Sequence, residues 1–194
     1  MIATLSLVSR LGIWMLTDAD GFKVLASVTW DDTESADLAG GIGAHFGRLL
    51  SNHSLDDLTA LACVSGPGAF TGLRSSASFA QGLARARSLP LFAIPTYDLL
   101  GETFFVPLRH QKAAVLNLTG SLAAGLEFLR LEGPEEEVIA RPETEGARVV
   151  GLVDEPLWPS SDMLFRGLRK NLATGNRLTN IRYGLEPKIS GVRT

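Results

Sequence analysis

The residues best placed to do chemistry lie in a glycine-rich segment, residues 65–74, that separates an apolar run from a helical pattern. Gly66, Gly68 and Gly72 permit a positive φ or a close backbone approach, and Thr71 is positioned to cap the following helix. Such a turn presents backbone N–H groups at a helix N-terminus, where an anion or another backbone can dock. The segment therefore predicts either an anion-binding turn or a purely structural one.

Two generic phosphate-binding motifs do not match this segment. A Walker A loop requires a lysine directly after its second glycine, whereas Gly72 is followed by Leu73 and Arg74. The dinucleotide-binding fingerprint also fails, because Gly72 lies one residue too far beyond Gly68. The residue pattern alone therefore identifies a tight strand-to-helix turn and leaves its ligand open.

Metal and nucleophile chemistry lack the residues that they require. The three histidines, His45, His53 and His110, form no H-E-x-x-H arrangement, and His45 lies on an apolar helical stripe, as satisfied core residues do. The single Cys63 lies in an apolar run, so it cannot form an internal disulfide and is expected to be unreactive. We therefore predict no catalytic residue and no metal site.

The elements that would position the glycine segment follow an α/β pattern. Three short apolar runs before it predict an antiparallel three-strand meander, and a helical spacing follows them. The predicted elements of the first half are strands at 2–8, 11–17, 23–29, 58–64 and 91–94 and helices at 34–50 and 71–87. In the second half, strands are predicted near 113–118, 126–131, 138–140 and 149–153, and a helix near 160–172.

Composition and charge are those of an ordinary globular protein of 194 residues, with 45% hydrophobic and 20% charged residues. The net charge of −3 argues against nucleic-acid binding by the whole surface, although residues 132–155 are acidic and the chain from Arg166 onward is basic. For that basic stretch, a solvated face is favoured over a phosphate-binding one because few aromatics are interleaved with it.

No apolar run has the features of a targeting or membrane segment. The N-terminal run lacks a preceding basic region and is interrupted by Arg10, so a signal peptide is not expected. The other apolar runs end well short of the about 20 residues that a membrane helix needs. We therefore expect a cytoplasmic protein without a membrane partner.

The two helices predicted on either side of the 58–64 strand carry small, uncharged residues where a solvent-facing side normally carries lysine and glutamate. Smooth helix faces indicate a protein-binding surface, and the alternative is that they pack on each other or on the rest of the chain. The predicted partner-binding residues are Ala36, Gly40, Gly43, Gly47, Ala77, Gln81 and Ala84.

The glycine segment continues into Ala-Gln-Gly-Leu-Ala at residues 80–84 and Leu-Pro at residues 89–90. Together these residues resemble the signature of the TsaB (YeaZ) family, relatives of TsaD in the actin, hexokinase and Hsp70 ATPase superfamily that were formerly labelled glycoproteases. The signature turn comprises Gly66, Pro67, Gly68, Phe70, Thr71, Gly72 and Arg74. The resemblance is dense over about residues 55–100, and residues 183–189 match the family's closing segment faintly.

The resemblance implies a two-lobed ribonuclease H-like α/β fold with a shortened second lobe, in agreement with the predicted order of elements. We divide the chain into an N-terminal lobe, residues 1–104, and a smaller C-terminal lobe, residues 105–194. It further implies a non-catalytic scaffold of the complex that installs threonylcarbamoyl on A37 of tRNA. The scaffold binds a TsaD-like catalytic subunit, a TsaE-like ATPase joins the assembly, and self-pairing through first-lobe helices is an open alternative.

We expect no cofactor on this chain itself. The resemblance implies that ATP and Mg²⁺ are used by the complex, which also binds the tRNA. The family's usual opening places Asp-Thr-Ser near the end of the first strand, where this chain has Ser6, Leu7 and Val8. These side chains cannot supply the carboxylate that a hard divalent cation needs. A small ATPase or sugar-kinase-like enzyme is the alternative function, and the missing carboxylate argues against it.

Overall fold

The computed structural model describes residues 1–9, 11–31, 38–66, 68–100, 104–110, 113–119, 129–133, 148–149 and 159–179. Five strands form the first sheet, in the spatial order β3-β2-β1-β4-β5. Their bounds are β1 Ile2–Ser6, β2 Leu11–Thr17, β3 Val24–Asp31, β4 Ala60–Gly66 and β5 Leu91–Pro95. The β1–β2 and β2–β3 pairs are antiparallel, whereas β1–β4 and β4–β5 are parallel. The predicted meander and the ribonuclease H-like fold class are thereby confirmed.

Four α-helices accompany the sheets in the described part of the chain. They are α1 Leu38–Leu49, α2 Phe70–Ala86, α3 Thr96–Leu100 and α4 Ser161–Thr174. The start of α4 is capped by Ser160, whose hydroxyl accepts a hydrogen bond from the Met163 N–H at 3.2 Å, and its end by Gly175 at φ 66°. None of these helices combines the length and the apolarity that a bilayer crossing requires.

The first sheet is covered on both faces, because successive side chains of a strand point to opposite sides. Leu5 of β1 and Leu7 just beyond its end pack with Trp14 of β2 and with α1 and the last part of α2 on one face. The other face packs Ile13 and Met15 against the core side chains of α3 and α4. The structure therefore has three layers, with β1 in the centre of the sheet.

A second sheet follows in the order β8-β7-β6-β9. Its strands are β6 Phe104–His110, β7 Ala113–Thr119, β8 Leu129–Gly133 and β9 Arg148–Val149. Strand β7 confirms the strand predicted at 113–118, β8 overlaps the one predicted at 126–131, and the strand predicted at 138–140 lies outside the described residues. Strand β6 went unpredicted, since Pro107 at its centre is a residue that usually argues against a paired strand.

Helix α4 packs against the first sheet although it follows residue 104 in the chain. The Asn171 side-chain amide donates to Asp98 Oδ2 at 2.9 Å and to the Gly167 carbonyl at 2.9 Å, and Lys170 forms an ion pair with Asp98. Asn176 in turn donates to Asn171 Oδ1 at 2.9 Å. These bonds join α4 to α3, and the predicted lobe division at residue 104 stays a prediction.

Two hydroxyl groups on β1 are buried without a hydrogen-bond partner among the described residues. The side chains of Thr4 and Ser6 are both 0% exposed, and neither oxygen is bonded. They lie between Ile2 and Val8 on the apolar side that faces α3 and α4. A buried hydroxyl without a partner costs free energy, whereas an apolar group of the same shape does not.

We expect Thr4→Val to raise the free energy of unfolding by about 1 kcal/mol. The matched control is Thr17→Val on the adjacent strand, because Thr17 is equally buried but its hydroxyl donates to the Asp18 carbonyl at 3.1 Å. The control should lower stability by about 1 kcal/mol. Denaturant unfolding measures both, and equal losses in the two variants would mean that Thr4 has a partner.

Candidate functional site

The glycine turn joins the end of β4 to the start of α2 and has the backbone geometry that its residues predicted. Gly66 adopts a φ of 98°, a region that side chains rarely enter. Pro67 lies outside the described residues. The helix begins at Phe70, directly after an N-cap at Ala69. A change of direction between strand and helix is thus made within very few residues, with glycine at the position of unusual φ.

The turn is docked on the backbone at the end of β1. The Ala69 N–H donates a hydrogen bond to the Val8 carbonyl at 2.8 Å. A Cβ atom added to Gly68 would lie 2.7 Å from the Val8 carbonyl oxygen, and one added to Gly72 would lie 2.2 Å from the Leu7 carbonyl oxygen. Gly68 and Gly72 are therefore required for close approach rather than for a positive φ. The sequence left open whether an anion or another backbone docks at this turn, and in the structure a backbone carbonyl, that of Val8, accepts the hydrogen bond from Ala69.

Three signature residues, Phe70, Thr71 and Arg74, lie in the first turns of α2. The prediction that Thr71 caps α2 is wrong, because Ala69 is the N-cap and Thr71 lies inside the helix. Thr71 is the second residue of the helix, and its side chain is exposed. Arg74, one turn further, is also exposed, and Phe70 is 37% exposed. The exposed members of the signature therefore lie on the outer side of the first turn of α2.

Small residues on α2 serve two different purposes. The prediction that Ala77 and Ala84 point outward is wrong, because they are 0% and 7% exposed. Ala77 packs with Ala80 against Cys63 of β4, and small side chains are needed there because α2 lies close to the sheet. Gln81, by contrast, is exposed as predicted.

Exposed small residues of α2 lie instead beside α1. Gly82 is exposed with nothing within 4 Å of an added Cβ, and Ser78 is exposed one turn earlier. Ser75 and the aromatic Phe79 are half-buried on the same side, because positions three and four apart share a helix face. The sequence pattern missed this side because it placed the smooth face of α2 at Ala77, Gln81 and Ala84.

Helix α1 supplies the other half of the same surface. A Cβ added to Gly43 would lie 3.7 Å from the Phe79 ring, and one added to Gly47 would have nothing within 4 Å. Ala44 is exposed between them. Gly40 lies in α1, but its surroundings and the placement of Ala36 lie outside what the structure describes. We define the α1–α2 surface as Gly43, Ala44, Gly47, Ser75, Ser78, Phe79, Gly82 and Ala86.

An aromatic cluster holds α1 and α2 side by side beneath this surface. The Phe46 ring lies 4.8 Å from the Trp14 ring and 6.1 Å from the Phe79 ring, centroid to centroid, and Trp14 and Phe79 are 5.9 Å apart. The Trp14 indole N–H also donates to the Ile42 carbonyl at 3.1 Å. Large buried rings next to a smooth exterior fix the helix positions without filling the outer surface.

His45 and Cys63 have no chemistry assigned to them by this arrangement. The His45 ring stacks on the Trp30 ring at 4.4 Å between centroids. Its Nδ1 has no hydrogen-bond partner among the described residues, so the ring packs as predicted but its hydrogen-bonding capacity is not fully used. Burial lowers the pKa of His45, and the Arg48 guanidinium lowers it further. Burial raises the pKa of Cys63 to about 12, which keeps the thiol protonated and unreactive. In the described ranges, no three His, Cys, Asp or Glu side chains are grouped as metal ligands are.

Comparison with protein families and curated sequences gives matches to part of the chain, and the family match includes the glycine turn. The model of the family described as "TsaD: tRNA N6-adenosine threonylcarbamoyltransferase" matches residues 48–117. A 52-residue segment is 48% identical to "tRNA threonylcarbamoyladenosine biosynthesis protein TsaB" of Escherichia coli (strain K12), covering 27% of this chain and 22% of that protein. A 49-residue segment is 41% identical to the protein of the same name from Buchnera aphidicola subsp. Schizaphis graminum, covering 25% and 23%. The alignments span less than a quarter of the length of these relatives.

Solved structures match over a larger part of the chain. "YeaZ from Pseudomonas aeruginosa" has a TM-score of 0.52 at 20% identity, covering 73% of this chain and 69% of that chain. A second structure, of an uncharacterised protein described as similar to peptidase YeaZ from Pseudomonas aeruginosa, has a TM-score of 0.56 at 20% identity, covering 76% and 73%. At this identity, the likeness shows a shared fold.

We expect Gly72→Ala to lower the free energy of unfolding by about 1 to 3 kcal/mol, because the Leu7 carbonyl would have to move to admit the methyl group. Gly68→Val should be destabilising for the same reason, against Val8. The matched control is Gly82→Ala on the exposed side of α2, which should raise stability by about 0.5 to 1 kcal/mol through helix propensity. Thermal or denaturant unfolding decides, and an unchanged Gly72→Ala stability would contradict the close approach.

Proposed function

We propose that this chain, a member of the TsaB/YeaZ family, is a non-catalytic scaffold subunit of the machinery that installs threonylcarbamoyl on A37 of tRNA. It binds a TsaD-like catalytic subunit through the α1–α2 surface. The names of the curated relatives and the matching TsaD family support the pathway. The observation that carries the scaffold role is the exposed, nearly side-chain-free centre of the α1–α2 surface.

The glycines at the centre of that surface lower the stability of their helices, and close contact with another protein would offset this cost. Each glycine in a helix interior costs about 1 kcal/mol relative to alanine. Gly47 and Gly82 make no contact within the described residues that would require glycine. Gly72, by comparison, is required by the Leu7 carbonyl. Glycine at an exposed helix position is explained if the backbone of another protein must approach closely there. Helix pairs that pack through small residues are an example.

Absence of catalysis by this chain is supported by the environment of Ser6. The resemblance assigns a carboxylate near this position, but the Ser6 side chain is 0% exposed and its strand neighbours face an apolar cluster. A charged group there would be expensive to bury, and a hydroxyl is a poor ligand for Mg²⁺. The Ala69 amide at the glycine turn is also occupied by the Val8 carbonyl.

The remaining parts of the proposal concern the assembly. A TsaE-like ATPase joins the scaffold and the TsaD-like subunit, and ATP and Mg²⁺ are used in the complex rather than held by this chain. The complex, rather than this chain alone, binds the tRNA, and it does so in the cytoplasm. These assignments follow from the family and not from a contact in the described residues.

Gly47→Leu and Gly82→Leu should each weaken co-purification with the TsaD-like protein of the same organism by more than about tenfold, because a bulky side chain would hold the two backbones apart. The matched control is Ala173→Leu, an exposed alanine of α4. Circular dichroism should show an unharmed fold in all three, since leucine is a better helix former than glycine. Unchanged binding by folded Gly47→Leu and Gly82→Leu proteins would place the partner elsewhere.

The isolated chain should release no phosphate from Mg-ATP above background. Ser6→Asp should lower stability, because a carboxylate would enter an apolar cluster, and it should not create turnover. The measurement is phosphate release by the parent, Ser6→Asp and Ser6→Ala proteins. Turnover by the parent that Ser6→Ala abolishes would contradict the scaffold role and support the small ATPase.

A further inference from the structure

The turn between β2 and β3 holds an exposed aromatic ring in a fixed place. Phe22 is 66% exposed, more than any other large hydrophobic residue in the described part of the chain. Its N–H and that of Lys23 donate to Asp18 Oδ1 at 2.7 and 3.2 Å, and Gly21 has a φ of 70°. The turn also packs on α4, because a Cβ added to Gly21 would lie 2.6 Å from the Leu172 side chain. The ring is therefore presented by a turn that hydrogen bonds and packing hold in shape.

Arg169 of α4 stacks on this ring. Its guanidinium carbon lies 5.0 Å from the centroid of the Phe22 ring and 5.9 Å from that of the Phe165 ring. A second stack lies just beyond the end of α4, where the Arg177 guanidinium carbon is 4.3 Å from the centroid of the Phe92 ring on β5. Both arginines are exposed, and neither has an ion-pair partner among the described residues. Each stack thus combines a positive charge with flat groups at the surface.

These stacks remove the reason for which the sequence favours a solvated face here. That expectation for the basic stretch from Arg166 onward depends on the scarcity of aromatics within the stretch. The fold supplies rings from elsewhere in the chain, namely Phe22 from the first hairpin and Phe92 from β5. Arginines and aromatic rings therefore lie side by side, as they do in proteins that bind single-stranded nucleic acids.

The charge around the stacks is positive but moderate. The exposed cations without an ion pair among the described residues of the turn, of α4 and of the segment after it are Lys23, Arg166, Arg169 and Arg177. The carboxylates of the same elements are Asp18, Asp20 and Asp162. Lys170 is paired with Asp98. Because the local excess of positive charge is small, stacking must supply much of the affinity for a polyanion.

An apolar protein surface is a poor match for these stacks. Covering the rings would also bury the Arg169 and Arg177 guanidinium groups, and a buried charge without a partner is costly. A single nucleic-acid strand avoids that cost, because unpaired bases stack on guanidinium and phenyl planes while phosphates neutralise the cations. A double helix gains only the phosphate contacts, since its bases are already stacked on one another.

We propose that the α4–turn surface, comprising Phe22, Lys23, Phe165, Arg166 and Arg169, binds a single-stranded segment of RNA. An unpaired base stacks on the Phe22–Arg169 pair, and phosphates lie at Lys23 and Arg166. This inference rests on the proposed function, whose complex acts on a tRNA, and it adds a direct contact between this chain and the RNA. The α4–turn surface shares no residue with the α1–α2 surface, so the two can be tested separately.

The first experiment measures binding of the full chain to a fluorescently labelled single-stranded RNA of about 12 nucleotides, by fluorescence anisotropy over a range of salt concentrations. The parent should bind this strand at least about fivefold more tightly than an RNA duplex of the same length. Phe22→Ala should weaken binding about fivefold or more and leave the salt dependence unchanged, because it removes stacking alone. Arg166→Ala should instead reduce the slope of log affinity against log salt by about 0.7, which corresponds to one phosphate contact.

The matched controls are Leu25→Ala, at an exposed apolar residue of β3, and Arg48→Ala, at an exposed arginine of α1. Both should bind the RNA as the parent does, and circular dichroism should show the parent's fold in all four variants. Parent-like affinity of the folded Phe22→Ala protein, or tighter binding of the duplex than of the single strand, would overturn the inference. Binding of polyglutamate but not of RNA would also overturn it and would indicate an acidic protein as the occupant.

A second experiment measures threonylcarbamoylation of tRNA by the reconstituted complex. Phe22→Ala should raise the KM for tRNA about fivefold or more, while kcat and co-purification with the TsaD-like protein stay unchanged. An unchanged KM would overturn the inference and leave the proposed function intact. A parent chain that binds the single-stranded RNA as expected but does not co-purify with the TsaD-like protein would count against the proposed function alone.

Discussion

The contact between the end of β1 and the glycine turn determines where α2 starts against the first sheet. At this contact, the Ala69 N–H bonds to the Val8 carbonyl at 2.8 Å, and the α-carbon of Gly72 faces the Leu7 carbonyl so closely that a methyl group would lie 2.2 Å from its oxygen. An approach this close leaves no room for a Cβ atom at Gly68 or Gly72. The start of α2 is therefore fixed against the central strand of the sheet, and the direction of the whole helix follows from it.

The position of α2 explains both the buried and the exposed small residues. Because the helix lies close to β4, its inward side carries alanines, of which Ala77 and Ala80 contact Cys63. Phe79 then points sideways and meets Phe46 and Trp14, so the aromatic cluster sets the distance between α1 and α2. What remains exposed is the α1–α2 surface, with Gly47 and Gly82 at its centre. The glycine turn thus contributes to the proposed partner site by placing α2, and it binds no ligand itself.

Sequence reasoning predicted the parts of this arrangement that depend on local pattern. The meander, the strand–glycine–helix unit and the need for glycine at positions 66, 68 and 72 all follow from residues close together in the chain. The inward direction of Ala77 did not follow, because a helix with small residues on several sides gives no clear apolar face and tertiary packing decides. Strand β6 was hidden by Pro107, and the neighbour of Gly72, Leu7, is too far away in sequence to be read from a pattern.

The most direct test of the central claim is hydrogen exchange at the Ala69 amide, measured by nuclear magnetic resonance on the full chain. If the Val8 carbonyl occupies this amide, it should exchange as slowly as amides in the centre of β4, and added phosphate or ATP should not shift its resonance. Fast exchange at Ala69, or a saturable shift of its resonance on addition of phosphate, would show that the turn is open to an anion and would contradict the account.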